Sequence, residues 1–220
     1  IIVFTADNGG LLPITDNSPF RVGKGSAYEG GVRVPLIIHA PGVTKAGTVD
    51  PTPAITIDLY PTVLELAGVK PLQALVDGIS LAPLLKSGAK PDRDAIFWHY
   101  PHYNEHPSSV PSSVIRKGPW KLIETFDPEG VELFNLANDL SEKNNLASQM
   151  PDLKKELYDK LTNWRSDIKA PMPSKNVKGA NTPELPKKKK KLQNRIGTLL
   201  MPQALLQFLL YRDTHLMICR

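Results

Sequence analysis

The hydrophobic pattern divides the chain into segments of different period. Residues 1–5, Ile-Ile-Val-Phe-Thr, form a continuous apolar and β-rich run that reads as a strand buried on both faces. Residues 34–40 give a second buried-strand candidate, with Pro35 near its start, where a missing donor is tolerated. Between them residues 11–31 are loop-like, with glycine at 23, 25, 30 and 31. Residues 58–67 read as a helix whose Leu59, Val63 and Leu66 share one stripe, with Pro61 in the first turn and Gly68 closing the end. A shorter helix over 81–86 has Ser80 as its cap and Gly88 beyond it. Alternating buried strands and helices predict an α/β domain that continues upstream of residue 1.

Near residue 95 the pattern changes. Residues 95–100, 113–116, 120–124 and 131–134 read as short strands, with Lys117-Gly118-Pro119 as a turn between the middle two. Residues 151–168 then form the cleanest helix of the chain, because Leu153, Leu157, Leu161, Trp164 and Ile168 line up on one face. Four antiparallel strands and one amphipathic helix make a small α+β unit. The expected organisation is therefore a partial α/β domain over 1–94, an α+β subdomain over 95–173, and a tail over 174–220. That tail holds a five-lysine block, residues 187–191, expected to be solvated and disordered. Its apolar stretch over 196–211 is interrupted by Pro202 and falls short of the roughly 20 apolar residues that a membrane span needs.

Composition alters this picture in three places. Proline accounts for 21 of 220 residues, about twice the usual share of roughly 5%. That argues against a helical bundle and for many corners between strand and loop. The formal charge of +5 is unevenly spread: nine of the 27 Lys and Arg but only two of the 22 acidic residues lie in 177–220, which leaves the rest of the chain at −2. The basic balance thus belongs to the tail, where basic residues are not interleaved with aromatics as a nucleic-acid surface would require. The single cysteine, Cys219, rules out an internal disulfide framework. A chain that opens inside a core strand also reads as the carboxyl-terminal piece of a longer protein.

Candidate chemistry begins at Asp7-Asn8, where the first strand, expected to be parallel, should end. In α/β proteins such strand ends hold ligands. A carboxylate and an amide oxygen are hard donors suited to Ca2+ or Mg2+. The same pair in an Asx turn would only cap loop backbone. His99 and His102 lie among aromatics and could bind a sugar or aryl sulfate, or protonate a leaving group; equally, they could pack polar edges where two subdomains meet. His39, inside an apolar strand, reads as a core residue.

The pairing of T-x-D-N-G at residues 5–9 with G-K-G-x-x-Y-E-G-G-x-R-V-P at residues 23–35 resembles the sulfatases, members of the alkaline-phosphatase superfamily that hydrolyse sulfate esters. Further resemblance lies in Asp58-Leu59-Tyr60-Pro61-Thr62, in Asp77-Gly78-Ile79-Ser80-Leu81, and in Trp98-His99-Tyr100-Pro101-His102-Tyr103. Ile115 to Leu122 and Glu132 to Leu136 add to it, so that it covers about residues 1–175. Carried over, it implies an alkaline-phosphatase-like fold, Asp7 and Asn8 as ligands of a divalent ion, usually calcium, and Lys24 as the contact to a sulfate oxygen. It implies a sulfated small molecule or carbohydrate as partner, no nucleic acid, and a periplasmic or extracellular location. Glu29 and Arg33 read as a scaffold ion pair that positions the lysine loop.

The family nucleophile, a formylglycine made from the cysteine of a C-x-P-x-R motif, is missing, because Cys219 is followed only by Arg220. The other expected metal ligands, a pair of aspartates, are also expected upstream. These 220 residues alone should therefore be inactive. Two other readings remain open: a metal-dependent phosphomonoesterase or phosphodiesterase of the same superfamily, and a non-catalytic protein that binds an anionic partner.

Overall fold

The computed structural model describes residues 1–69, 76–103, 109–174 and 217–219. The lysine block, the apolar stretch at 196–211 and His106 lie outside them. The described residues up to 173, with 217–219, pack as one compact unit.

Strand β1 (Ile2–Thr5) pairs with β2 (Leu36–His39) in antiparallel register, Val3 opposite Ile38. The expectation of a parallel strand at Asp7 is corrected here. The connection between the two strands contains α1 (Glu29–Val32), a single turn and not a crossover helix, so the chain doubles back beside β1. β3 (Thr48–Asp50) completes this sheet with the short strand Met217–Cys219, which lies between β2 and β3. Burial of β1 on both faces is also corrected: Ile2 is 57% and Phe4 52% exposed, while Val3 packs against Ile38.

Behind β2 the core is Ile38, Leu81, Leu84 and Leu85. It is supplied by α2 (Leu59–Leu66), preceded by the 3-10 turn Thr56–Asp58, and by α3 (Ala82–Ser87). The predicted stripe of α2 holds at Leu66 but not at Val63, which is exposed. Thr62 explains the rotation. Its hydroxyl donates to the Asp58 carbonyl at 2.6 Å and accepts from the Leu81 amide at 2.8 Å, which turns the Pro61–Thr62 face inward. The buried Asp58 carboxylate accepts from the amides of Ile55 and Ile79 and takes a two-pronged ion pair from Arg93, at 2.9 and 2.6 Å. That explains the resemblance motif as a fastening of three loops.

The second sheet is an antiparallel meander of β4 (Ile96–Tyr100), β5 (Ser112–Lys117), β6 (Trp120–Phe126) and β7 (Glu129–Asn135). The turn after β5 needs Gly118, whose φ is +56°. Alternation along the strands gives the sheet two apolar faces. Ile115, Leu122 and Leu133 meet Leu157 and Leu161 of α4 (Pro151–Asp167), and Phe97 stacks on Trp164 at 4.8 Å. Val114, Ile123, Phe134 and Leu136 face the other way and receive Ala27, Tyr28 and Trp98. Each fully buried leucine contributes about 1.5–3 kcal/mol, so this sheet is held from both sides.

Candidate active site

Asp7 and Asn8 follow β1 directly, and the segment that carries Lys24 is tied to them through backbone. The Gly9 amide donates to the Gly31 carbonyl at 2.9 Å, and the Lys24 amide donates to the Gly10 carbonyl at 3.0 Å. A Cβ on Gly9 would stand 1.7 Å from the Gly30 carbonyl oxygen, so only glycine permits this approach. Asn17 braces the loop by donating to the carbonyls of Gly10 and Val22. The two motifs separated in sequence are one folded piece.

Asp7 and Asn8 line a cavity of about 310 Å3 together with Glu29, Arg33, Trp98 and Arg116. The Asn8 amide nitrogen donates to the Gly9 carbonyl at 3.0 Å, which leaves its side-chain oxygen as the available donor atom. Among the described residues no cluster of three or more His, Cys, Asp and Glu is placed to hold a metal ion. Asp7 and Asn8 bring two hard oxygen donors, the kind that suit a divalent ion when further ligands complete the set. Lys24 is exposed at the edge of the same loop and does not line the cavity.

The histidines lie elsewhere. His99 is on the α4 side of the sheet, with Nε2 2.8 Å from the Pro171 carbonyl and Nδ1 2.7 Å from the Ser113 hydroxyl. A carbonyl only accepts, so Nε2 carries the proton. Ser113 in turn accepts from Arg165 at 3.1 Å and donates to Nδ1. That placement favours the packing alternative and puts the ring on the face opposite Trp98 and Arg116. His102 is exposed, edge-on to Tyr100 at 5.9 Å.

Two functional supports were not anticipated from sequence. Lys121, fully buried on β6, pairs with Glu29 at 2.9 Å and with Glu142 at 2.8 Å. Glu142 also accepts the Glu29 amide at 2.6 Å, and Arg33 reaches Glu29 at 3.3 Å. Burial pushes the Glu29 carboxyl up, but Lys121, with Arg116 and Arg33, outweighs it and holds the group below its ordinary value. Burial pushes the Glu142 carboxyl up, and Lys121 offsets only part of that. The scaffold role expected of Glu29 and Arg33 is thus built around a lysine from the second sheet. The signal was present in the strand period: Lys121 shares a face with Ile123, which a two-sided core buries.

Comparison with known proteins adds the following. Residues 22–167 match the family described as N-sulphoglucosamine sulphohydrolase, C-terminal. A protein named sulfatase from Formosa agariphila is 40% identical over 187 residues, 78% of this chain and 34% of the relative. Ps i-CgsB, solved in complex with k-i-k-neocarrahexaose, is 33% identical, with a TM-score of 0.64 over 75% of this chain and 36% of that one. A protein solved in complex with its substrate D-glucosamine-2-N,6-O-disulfate is 28% identical, with a TM-score of 0.61 over 80% of this chain and 36% of that one. The chain spans about a third of the length of these proteins.

Proposed function

Because this chain belongs to the sulfatase family and corresponds to a carboxyl-terminal portion of it, we propose that the complete protein hydrolyses a sulfate ester of a carbohydrate to the alcohol and inorganic sulfate. The reading of the site is supported above all by the bonds that tie Asp7-Asn8-Gly9 to the lysine loop, Gly9 to Gly31 and Lys24 to Gly10. They bring two hard oxygen donors and an ammonium onto one folded loop pair.

In this reading Asp7 and Asn8 hold a divalent cation, Ca2+, through a carboxylate oxygen and the free amide oxygen. Bound there, the ion would supply Lewis-acid polarisation of a sulfate oxygen. Lys24, flanked by glycines, swings its ammonium onto another sulfate oxygen and offsets the charge that develops there and on the departing alcohol oxygen. The Glu29–Lys121–Glu142 cluster fixes the turn behind that loop and takes no part in bond making. This reading requires a nucleophile, a formylglycine, and further ligands that these 220 residues do not contain, and it predicts no turnover by the 220 residues alone. A sulfated sugar as substrate is supported by the disulfated glucosamine and the carrageenan oligosaccharide bound in the structural relatives. A periplasmic or extracellular site of action belongs to the same reading and is carried by the family likeness alone. Among the described residues no helix is long and apolar enough to cross a membrane.

The deciding experiment is expression of the complete coding sequence and measurement of sulfate release from aryl and saccharide sulfates, beside phosphate release from the matching phosphate mono- and diesters. Sulfate release that is lost on chelation is the expected result. Phosphate release without sulfate release would move the protein to the phosphoesterase reading.

A further inference from the structure

The cavity beside Asp7 and Asn8 has a second wall that none of these residues accounts for. It comes from the far face of the second sheet, where Trp98 of β4 and Arg116 of β5 lie on the same side, Arg116 opposite Ile96 and Trp98 opposite Val114. Among the described residues, Lys121, Arg33 and Arg21 near this cavity are committed. Lys121 is held by two carboxylates, and Arg33 pairs with Glu29 and lies over Phe20 at 5.2 Å. Arg21 lies over the Tyr28 ring at 3.9 Å and donates to the Glu142 carbonyl. Arg116 is the exception. It is half-buried, its Nε makes one stretched contact of 3.5 Å to the Gly118 carbonyl, and among the described residues no carboxylate stands within ion-pair distance of it. Glu29, near enough to favour its charge, is already engaged on both oxygens.

A guanidinium withdrawn from water without an ion partner is costly unless an anion completes it. Its planar fork suits the two oxygens of a sulfate or a carboxylate. Trp98 beside it offers an aromatic surface to the apolar face of a sugar ring. We propose that Arg116 and Trp98 form a saccharide subsite, in which Arg116 receives a second anionic group of the substrate, a sulfate or a uronic carboxylate, while the reacting sulfate lies at Asp7, Asn8 and Lys24. This rests on the sulfatase reading and narrows its substrate class to sugars that carry two negative groups. Arg116 is then a specificity residue, set on the wall opposite the metal ligands.

The test uses the complete enzyme and its Arg116→Met, Arg116→Lys and Trp98→Ala forms. Three substrates are compared: 4-nitrophenyl sulfate, a sulfated saccharide with a second anionic group, and the same saccharide without it. Loss of a charge-assisted contact predicts a fall in kcat/KM of roughly 10- to 100-fold for Arg116→Met on the doubly anionic saccharide. The change should appear mainly in KM for the doubly anionic saccharide, with aryl sulfate hydrolysis much less affected. Arg116→Lys should recover part of the loss, and Trp98→Ala should weaken both saccharides but not the aryl sulfate. Equal losses on all three substrates would show an architectural arginine and overturn the proposal. Calorimetric titration of the desulfated, still anionic saccharide reads the subsite without turnover. Equal affinity for wild type and Arg116→Met overturns it, whereas weaker binding by the variant supports it even if no sulfate ester is cleaved. Failure of wild type to release sulfate would count against the enzymatic reading alone.

Discussion

The ammonium of Lys121 lies 2.9 Å from the carboxylate of Glu29, and both side chains are closed to solvent. This pair joins the turn behind the lysine loop to the middle of the second sheet, across 92 positions of sequence. Glu142 completes it from a third segment. Removal of the lysine would leave two buried carboxylates facing one another. Lys121→Met is therefore expected to cost about 3–5 kcal/mol of stability, read as a lowered denaturant midpoint of the complete protein. A midpoint within error of wild type would show that the cluster is dispensable.

The two carboxylates should respond to pH in opposite senses. Glu29 is held below its ordinary value of 4.5, so it contributes stability above that value, and the contribution is lost as pH falls through the folded-state titration. Glu142 is held above 4.5, so its ionisation disfavours the folded state as pH rises from 4.5 through its raised value. At neutral pH, Glu142→Gln should accordingly cost less than Glu29→Gln. Denaturation series between pH 4 and 8 for the two variants provide the check, and a larger cost for Glu142→Gln would contradict the assignment.

Metal dependence tests Asp7 and Asn8. In the complete enzyme Asp7→Ala should remove most activity and weaken calcium binding, and Asn8→Ala should do the same less fully, because it removes a neutral donor. The 220-residue chain alone should bind calcium weakly, since it brings only these two expected ligands. Turnover that survives both Asp7→Ala and strong chelation would leave the pair as an ordinary loop cap.

Lys24 is exposed, so its loss should be felt in catalysis and not in folding. Lys24→Ala is expected to lower kcat by roughly 100- to 1000-fold with an unchanged thermal midpoint. Lys24→Arg should rescue poorly, because a planar fork does not replace a compact ammonium at a close oxygen contact. Near-wild-type turnover in Lys24→Ala removes it from the site.

For His99 the expectation is reversed. Both ring nitrogens are engaged, at Ser113 and at the Pro171 carbonyl, on the α4 side of the sheet. His99→Ala should lower stability by about 1–3 kcal/mol and leave KM for sulfate esters within about twofold. A large rise in KM at unchanged stability would restore it as a substrate contact. His102, exposed beside Tyr100, provides the paired control.

Much of this fold could be read from local pattern. The α4 stripe is observed at Leu153, Leu157, Leu161 and Trp164 but not at Ile168, which is exposed, and the four strands of the second sheet lie where they were expected, the first one residue shorter and the other three longer. Gly88 and Gly118 adopt the left-handed conformations expected of a helix end and a tight turn. What escaped depends on contacts distant in sequence. α1 contains two glycines and has no side-chain cap; it is held by Glu142, 113 positions away from Glu29. Val63 follows the helical period but faces outward, because Thr62 is fastened to Leu81. The placement of His99 was available from parity, since residues 97 and 99 share a strand face and Phe97 stacks under α4. Trp98 and Arg116 become chemically interesting only once the sheet is set against Asp7 and Asn8.

The 1.7 Å that separates an imagined Cβ on Gly9 from the Gly30 oxygen bears on how such a chain could be recombined. A crossover placed between residues 10 and 29 would join an oxygen-donor loop from one ancestor to a lysine loop from another. The product would close only if both parents kept glycine at this crossing and the same backbone height on either side. A cut near residue 90 meets a different demand, because both parents must then supply the Glu29, Lys121 and Glu142 that join the two sheets. The oxygen-donor loop and the lysine loop thus behave as one folded block, because no side chain fits between them at this crossing.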